Sequence, residues 1–474
     1  MNHSDRIISF LEEINKTPRK SGNRGPITAY LRGWAEKRGY EVKQDKTDNL
    51  LIRVPPTPGY EKAPIIVLQG HSDMVCEKVP ESNHDFTKDA VKLVREGDWI
   101  KGDGTTIGAD NGIAIALAME LVSSEDAEHP PIEILITSDE EIGLVGANAL
   151  EDGFVEGKVL INLDSEEEGI FTIGCAGGAD SDFTVPVNSA APGSAQFYTL
   201  TLGGLKGGHS GMDIALNHGN ALKMIERVLS SLSTQKGFSL ASINGGSGAT
   251  NAICRDADAV FAADGDIRPL IAEWASLLKG ECGTVEEDFF LTVIEASAPG
   301  KVLNADSAQR VLRTIRLTPH GVEKMSSDIE GLVETSSNLA WAEISADKAR
   351  LQTSQRSAVM SELKDMNERM IAVAELAGGS CFTLNKYPSW KPNPSSALLE
   401  RCTRIYKECC GKEAVVEAIH AGLECGLIGD KYPGMDMISM GPSMEAVHTP
   451  GERLYVPSLE PFRDFLVALL KSFK

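Results

Sequence analysis

Four short aliphatic runs in the first part of the chain constrain its fold more than any other feature. They are NLLIRV (49–54), PIIVLQ (64–69), IEILIT (132–137) and KVLINL (158–163). Runs of this length are typical of strands that are buried on both faces of a sheet. A longer apolar segment, GIAIALAMELV (112–122), lies between two of them and favours a helix. The pattern predicts an α/β fold in which helices cover both faces of a sheet.

A second pattern begins near residue 190 and indicates an inserted domain. Candidate strands and helices follow there in the order β-α-β-β-α-β, and a less clear copy of this order recurs between residues 306 and 386. With 474 residues, the chain is also too long for one ordinary core. We therefore predict one domain formed by residues 1–187 and 392–474, with an inserted α+β domain at residues 188–391.

Composition excludes several classes of partner and of site. The chain has 46 Lys and Arg against 68 Asp and Glu, a formal net charge of −22. A negative field of that size repels nucleic acids and anionic membranes, so we expect neither as a partner. The nine cysteines lack C-x-x-C spacing, which argues against disulfides and against a thiolate zinc site. The charged N-terminal segment and the lack of a long apolar run lead us to expect a cytoplasmic protein.

Acidic residues and a histidine follow three of the four aliphatic runs directly. His71 and Asp73 come after the second run, Glu140 and Glu141 after the third, and Asp164 after the fourth. Because ligands of open α/β sheets bind beyond the carboxyl ends of the strands, we expect these side chains to meet at one edge.

So many like charges at one edge favour a metal site. Asp110 in GADNG and His448 in VHTPGE supply further ligand types. Carboxylates crowded together repel one another and are costly to bury, and divalent cations remove that cost. Nitrogen and oxygen donors without sulfur suit Zn²⁺, with Mn²⁺ or Co²⁺ as substitutes. Two such ions, about 3.5 to 4 Å apart, would share a bridging carboxylate and could activate one water.

Six motifs stand in the order found in a known group of enzymes. They are HSDMV, GADNG, SDEEIGLVGA, LDSEE, GGLKGGHSGMDI and HTPGERLYVPS. In this order they resemble the two-zinc metallopeptidase superfamily of carboxypeptidases, deacylases and dipeptidases. The chain looks most like the aminoacyl-histidine dipeptidase branch, the bacterial Xaa-His or carnosinase-like dipeptidases. The resemblance spans nearly the whole chain and implies a mixed sheet in the catalytic domain and an inserted lid or dimerisation domain.

The resemblance also implies two zinc ions per chain and a role for each residue in the motifs. Asp73 would orient His71, Glu140 would be the general base, and a cis peptide would join Asp110 to Asn111. The ligands that it implies are His71 and Asp164 for one ion, Glu141 and His448 for the other, and Asp110 as the bridge between them.

Three residues of the inserted domain are candidates for contact with a substrate. The resemblance implies that His209 in GGLKGGHSG polarises the scissile carbonyl and that Asn251 in SGATNAIC contacts the substrate. Arg356 in SQRS is a candidate for the peptide's C-terminal carboxylate, because a guanidinium fork suits that group. His420 and Glu424 in IHAGLECG are further candidates without an assigned role.

We therefore predict a metal-dependent dipeptidase that prefers Xaa-His substrates such as carnosine. A metal-bridging hydroxide would attack the peptide carbon, with Glu140 as general base. An N-acyl amino acid deacylase or a tripeptide aminopeptidase on the same scaffold stays open, because the metal ligands do not separate these activities. A non-catalytic scaffold is the third alternative, and the presence of Glu140 and of every metal ligand argues against it.

The same residues also have simpler explanations. Glu140 and Glu141 could be acids at a helix start, Asp110 could cap a helix, and Asp164 could open an acidic loop. His209 could lie in a flexible glycine-rich turn. The sequence leaves open whether His209 acts in its own chain or in a partner subunit, so a homodimer is a further prediction.

Overall fold

The computed structural model describes residues 2–474, which form two compact units. Unit 1 comprises the chain up to Cys175 together with Trp390–Ala418 and Leu423–Lys474. Unit 2 comprises Ala176–Ser389 and Ile419–Gly422. In the described residues, no helix has the length and apolar character needed to cross a membrane.

The described residues contain eleven α-helices and twenty-three strands, with runs of up to five successive strands between helices. The helices are α1 (His3–Asn15), α2 (Arg24–Glu36), α3 (Ala109–Val122), α4 (Val145–Ala149), α5 (Ala221–Leu232), α6 (Arg268–Cys282), α7 (Ala305–Leu317), α8 (Met360–Leu376), α9 (Ala397–Cys410), α10 (Glu424–Lys431) and α11 (Leu459–Lys471). The strands are β1 (Glu41–Gln44), β2 (Leu50–Val54), β3 (Ile66–His71), β4 (Leu93–Glu96), β5 (Trp99–Gly102), β6 (Ile132–Thr137), β7 (Val159–Asn162), β8 (Ile170–Cys175), β9 (Gly177–Thr184), β10 (Ser189–Ala190), β11 (Gln196–Gly203), β12 (Ser239–Gly245), β13 (Ala257–Ala263), β14 (Phe290–Ala296), β15 (Val302–Leu303), β16 (Gly321–Met325), β17 (Val333–Ile344), β18 (Ala349–Ser357), β19 (Ser380–Tyr387), β20 (Val415–Ile419), β21 (Asp436–Ser439), β22 (Met444–Glu445) and β23 (Arg453–Tyr455).

Unit 1 is built on an eight-stranded mixed sheet with the strand order β1-β2-β6-β3-β7-β21-β8-β20. Its four central strands, β6, β3, β7 and β21, run parallel, while β2 and β8 are antiparallel to their central neighbours. Every residue of β3 and β6 is buried, as expected for strands that helices cover on both faces. The predicted α/β fold with a mixed sheet is confirmed.

The parallel strands bring their carboxyl ends to one edge of this sheet. In the pairing register, His71 of β3 lies opposite Thr137 of β6, and Asn162 of β7 lies opposite Ser439 of β21. The helix predicted at 112–122 is α3, which packs on β3 and starts three residues earlier, at Ala109. The segments that follow β3, β6 and β7 therefore leave the sheet side by side.

Unit 2 contains two β-α-β-β-α-β modules in one extended sheet. The first module is β11-α5-β12-β13-α6-β14, with the spatial order β14-β11-β13-β12. The second is β9-α7-β17-β18-α8-β19, with the spatial order β17-β18-β9-β19. The modules join through antiparallel pairing of β12 with β17, where Ile243 lies opposite Ile344.

The start of unit 2 differs from the boundary predicted at residue 187. Strand β9 pairs with β18 and β19, so it belongs to the second module although the whole first module separates it from α7. No local feature of the sequence indicates this pairing, because the strand and its partners lie far apart along the chain.

Candidate active site

One imidazole and two carboxylates converge beyond the carboxyl ends of the parallel strands in unit 1. One donor atom from each of His71, Asp110 and Glu141 lies within 4.8 Å of the other two. His71 is the last residue of β3, Asp110 lies in the first turn of α3, and Glu141 lies in the loop after β6. The fold thus brings together side chains that three separate segments carry.

Asp110 lies between two histidines. Its Oδ1 is 3.1 Å from Nε2 of His71, and its Oδ2 is 2.9 Å from Nε2 of His448. The carboxylate of Glu141 is 3.1 Å from the same His448 nitrogen, and Oδ1 of Asp164 is 3.5 Å from Nε2 of His71. The five residues predicted as metal ligands therefore form one cluster with two halves, and Asp110 is common to both.

This donor set fits a pair of divalent cations. The cluster offers imidazole nitrogens and carboxylate oxygens, and Oδ1 of Asp164 is buried without a hydrogen-bond partner in the described residues. Burial and the neighbouring carboxylates of Glu424, Glu141 and Asp110 raise the pKa of Glu140 to about 8. Burial likewise raises the pKa of Asp164, with Asp110 and Glu140 acting in the same direction. Without a cation the acids would compete for protons, and bound cations would relieve that repulsion.

Asp73 lies behind His71, where it holds two parts of the cluster together. Nδ1 of His71 is 3.1 Å from the Asp73 backbone oxygen and 3.4 Å from its carboxylate. The same carboxylate accepts hydrogen bonds from the backbone N–H of Glu140, at 2.9 Å, and of Glu141, at 3.3 Å. Burial opposes ionisation, but the hydrogen bonds from His71, Ser21 and the Glu140 backbone lower the pKa of Asp73 to about 2. Asp73 can therefore orient His71 and also fix the loop that carries both glutamates.

The start of α3 packs unusually close to β3. The peptide between Asp110 and Asn111 is cis, which confirms the expectation from the resemblance. The Asn111 side chain accepts from the His71 backbone N–H at 3.2 Å and donates to the Leu163 carbonyl at 2.9 Å. A Cβ at Gly70 would lie 2.3 Å from Oδ1 of Asn111, so only glycine leaves room for this contact. Gly70 thereby allows Asp110 and His71 to face each other.

A row of buried polar side chains lies across the ends of the parallel strands. Asn162 donates to Gln69 at 2.6 Å, and Ser439 donates to Asn162 at 2.5 Å. Gln69 and Thr137 in turn donate to one oxygen of Glu424, at 2.6 and 2.7 Å, while the other Glu424 oxygen is buried without a partner in the described chain. Of these residues only Glu424 was a candidate from sequence, although polar residues at the ends of otherwise aliphatic runs were a usable signal.

His209, in unit 2, has a defined tautomer. Its Nδ1 accepts hydrogen bonds from the backbone N–H groups of Gly211 and Met212, at 3.3 and 3.1 Å. The ring proton of the neutral form must therefore lie on Nε2, which can act as a donor. Burial, together with the nearby charge of Arg356, lowers the pKa of His209 and so favours this neutral form.

Arg356 is a buried cation, and it forms no ion pair with a carboxylate of residues 2–474. Its Nη1 donates to the Tyr387 hydroxyl at 2.9 Å, and its Nε has no hydrogen-bond partner among the same residues. A Cβ at Gly211 would lie 3.1 Å from the His209 ring and 3.3 Å from Nε of Arg356, so the two side chains flank this glycine. They come from different modules of one chain, and their proximity therefore needs no partner subunit.

Asn251 and His420 are the other two candidate residues in unit 2. Asn251 is exposed, and its backbone carbonyl accepts from the Ser210 N–H at 2.8 Å, beside His209. His420 is buried, and its Nε2 is 2.7 Å from the Ser336 hydroxyl. Burial and the charge of Arg356 lower the pKa of His420 to about 3.

Comparison with known proteins identifies close relatives of the chain. A family model described as peptidase family M20/M25/M40 matches residues 67–472. The cytosol non-specific dipeptidase of Escherichia coli (strain K12) is 35% identical over 471 residues, which cover 98% of this chain and 97% of the relative. The crystal structure of the aminoacylhistidine dipeptidase from Vibrio alginolyticus has a TM-score of 0.90 at 37% identity, and the match covers 98% of this chain and 96% of that one.

A more distant structure shares the fold. The aminopeptidase PepT from Bacillus cereus has a TM-score of 0.60 at 17% identity, over 99% of this chain and 98% of that one. The resemblance to aminoacyl-histidine dipeptidases that the six motifs carry is confirmed by the two closer relatives. From these matches along nearly its whole length, the protein belongs to peptidase family M20/M25/M40 and is an enzyme that hydrolyses peptide bonds.

Proposed function

We propose that this peptidase is a two-zinc dipeptidase with a preference for Xaa-His substrates, including carnosine-like peptides. The observation that carries the proposal is the position of Asp110, whose two oxygens face His71 on one side and His448 on the other. A carboxylate with one histidine at each oxygen suits a bridge between two ions. The preference for Xaa-His peptides rests on the relative from Vibrio alginolyticus, which is an aminoacylhistidine dipeptidase.

In this mechanism His71 and Asp164 would hold one ion, Glu141 and His448 the other, and Asp110 both. When bound, the ions would acidify a water molecule and polarise the carbonyl of the substrate. Glu140, which is not assigned as a ligand, takes the proton of the attacking water. It then delivers that proton to the nitrogen of the leaving amine, so the base of the first step is the acid of the second.

Three residues of unit 2 are proposed to contact the substrate. His209 presents an N–H at Nε2, and this donor stabilises the negative charge that develops on the carbonyl oxygen. Arg356, which is buried and pairs with no carboxylate of the described chain, binds the C-terminal carboxylate of the dipeptide. Asn251 is proposed to contact the substrate backbone from the loop beside His209.

The first test is hydrolysis by the purified protein before and after metal removal. We expect free histidine to be released from Ala-His and carnosine, lost after dialysis against a chelator, and restored by zinc. N-acetyl-histidine and Ala-Ala-His serve as the matched substrates for a deacylase and a tripeptidase. Faster cleavage of either of these by the zinc-restored protein would overturn the dipeptidase assignment, and no cleavage of any of the four would overturn the proposed substrate class.

Replacement of Arg356 tests the carboxylate subsite separately. We expect Arg356→Ala to raise the KM for Ala-His by about 10- to 100-fold, because a hydrogen bond to a charged group contributes about 1.5–3 kcal/mol. Arg356→Lys keeps the charge but loses the planar fork, so its effect should be smaller. Ala-His amide, which lacks the carboxylate, should respond little to either substitution. An equal loss with acid and amide would contradict the assignment.

A further inference from the structure

Glu452 binds the backbone of Asp110, one of the proposed metal ligands. It is not among the site residues predicted from sequence. It follows His448 by four residues in the HTPGE motif, and it is only 2% exposed. One oxygen accepts from the backbone N–H of Ile107 and Gly108, at 2.8 and 3.1 Å. The other accepts from Ala109 and Asp110, at 2.8 and 3.3 Å. A single carboxylate thus binds four consecutive N–H groups.

These four groups cannot all find acceptors within their own segment. Asp110 and Asn111 have non-helical backbone angles, so the N–H groups of residues 107–110 precede the regular turns of α3. Glu452 therefore fixes the backbone at the point where it presents the Asp110 side chain.

The same short turn fixes His448. The Glu452 N–H donates to the Thr449 carbonyl at 3.0 Å, and the Thr449 hydroxyl donates to the Ala446 carbonyl at 2.7 Å. Within this turn His448 has a positive φ of 63°, a conformation that is uncommon for residues other than glycine. Glu452 thus connects the turn that carries His448 to the backbone that carries Asp110, because its side chain binds the N–H groups of residues 107–110.

Arg19 extends this support to the segment that carries His71. Its guanidinium is buried, and Nη1 donates to the carbonyls of Ser72 and Asp73, at 3.2 and 3.1 Å. Nη2 donates to the carbonyl of Gly108, in the segment that Glu452 binds. A Cβ at Gly108 would lie 2.2 Å from Nη2, so the guanidinium occupies space that any other residue there would fill.

We propose that Glu452 and Arg19 are positioning residues for the metal ligands. Their hydrogen bonds connect the backbones of the three loops that carry His71, Asp110 and His448. Neither side chain is itself assigned as a metal ligand. The inference rests on the proposed two-metal site but not on the identity of the substrate. Its consequence is that metal affinity depends on Glu452 even though all five ligands are intact.

The test is the substitution Glu452→Gln, which keeps the size of the side chain. The amide NH₂ replaces one carboxylate oxygen and cannot accept from N–H, so two of the four backbone groups lose their acceptor. We expect zinc to bind about 10- to 100-fold more weakly in competition with a chromophoric chelator, as for other residues that support metal ligands. At zinc concentrations that saturate the site, the KM for the dipeptide should stay within about twofold, because Glu452 does not touch substrate.

Glu133→Gln is the matched control. Glu133 is also a buried glutamate of unit 1, and it accepts from the backbone N–H groups of Glu156 and Gly157, at 2.9 and 3.0 Å. It lies near the start of β6, at the opposite end of that strand from Thr137. Its replacement should lower the thermal stability of the metal-free protein but leave zinc affinity unchanged.

The outcomes separate positioning from a general loss of stability. Wild-type zinc affinity in Glu452→Gln, or the same loss of affinity in both glutamine variants, would overturn the inference. If Glu452→Gln does not fold, Arg19→Lys takes its place, since lysine keeps the charge but cannot reach three carbonyls in a fixed plane. A wild-type protein that binds two zinc ions tightly but cleaves no dipeptide would refute the proposed function and leave this inference standing.

Discussion

Replacement of Glu140 with glutamine is expected to lower kcat for Ala-His by about 10²- to 10⁴-fold, the usual contribution of a general base. Glutamine has nearly the same shape but cannot take a proton from water. The backbone N–H of residue 140 still donates to Asp73, so the loop that also carries Glu141 should keep its position. Zinc content should therefore remain that of the wild type, as measured by elemental analysis of the dialysed protein.

The control for this experiment is Glu151→Gln. Glu151 is an exposed acid of unit 1 that pairs with Lys46 at 3.0 Å, and its replacement should leave kcat unchanged. Turnover by Glu140→Gln at the wild-type rate, with full zinc content, would refute the assignment of the base. A loss of zinc in this variant would instead identify Glu140 as a metal ligand.

The metal cluster could be predicted from sequence because its signals are local. The segments that carry His71, Glu141 and Asp164 each follow a run of aliphatic residues, and a parallel strand delivers the residues after it to a known edge of the sheet. The strand predicted at 132–137 has those bounds in the structure, and the others lie within two residues of their predicted positions. Residue type and strand position together were sufficient to nominate His71, Glu141 and Asp164.

The supporting contacts could not be predicted in the same way. Glu452 binds backbone groups up to 345 residues earlier in the chain, and a backbone N–H carries no residue-specific signal. Arg19 is a basic residue in a charged N-terminal segment, where a solvent-exposed side chain is the usual expectation. The membership of β9 in the second module was not predicted for a related reason, because its partner strands lie beyond the whole first module. Long-range contacts of this kind are properties of the folded chain rather than of any short segment.

Replacement of Asp110 should lower the zinc content more than replacement of any other proposed ligand. Asp110→Asn replaces a carboxylate that faces both histidines with a neutral amide, one end of which can only donate. If Asp110 bridges two ions, this change should remove a ligand from both of them, so the zinc content should fall from two per chain to almost none. Activity should fall by at least as much as in Glu140→Gln, because the remaining site cannot hold both ions.

Two further variants make this prediction specific to a bridge. His448→Ala removes a residue that belongs to one half of the cluster, so it should cost one zinc ion and leave the other bound. Asp436→Asn makes the same chemical change at the start of β21, where the carboxylate accepts from Ser396 and from the Leu398 N–H. Asp436 begins β21, whereas Ser439 ends the strand at the sheet edge that carries the proposed metal ligands. The zinc content of Asp436→Asn should therefore stay at two per chain. Equal loss of one ion in Asp110→Asn and His448→Ala would contradict a bridging carboxylate and would assign Asp110 to a single metal.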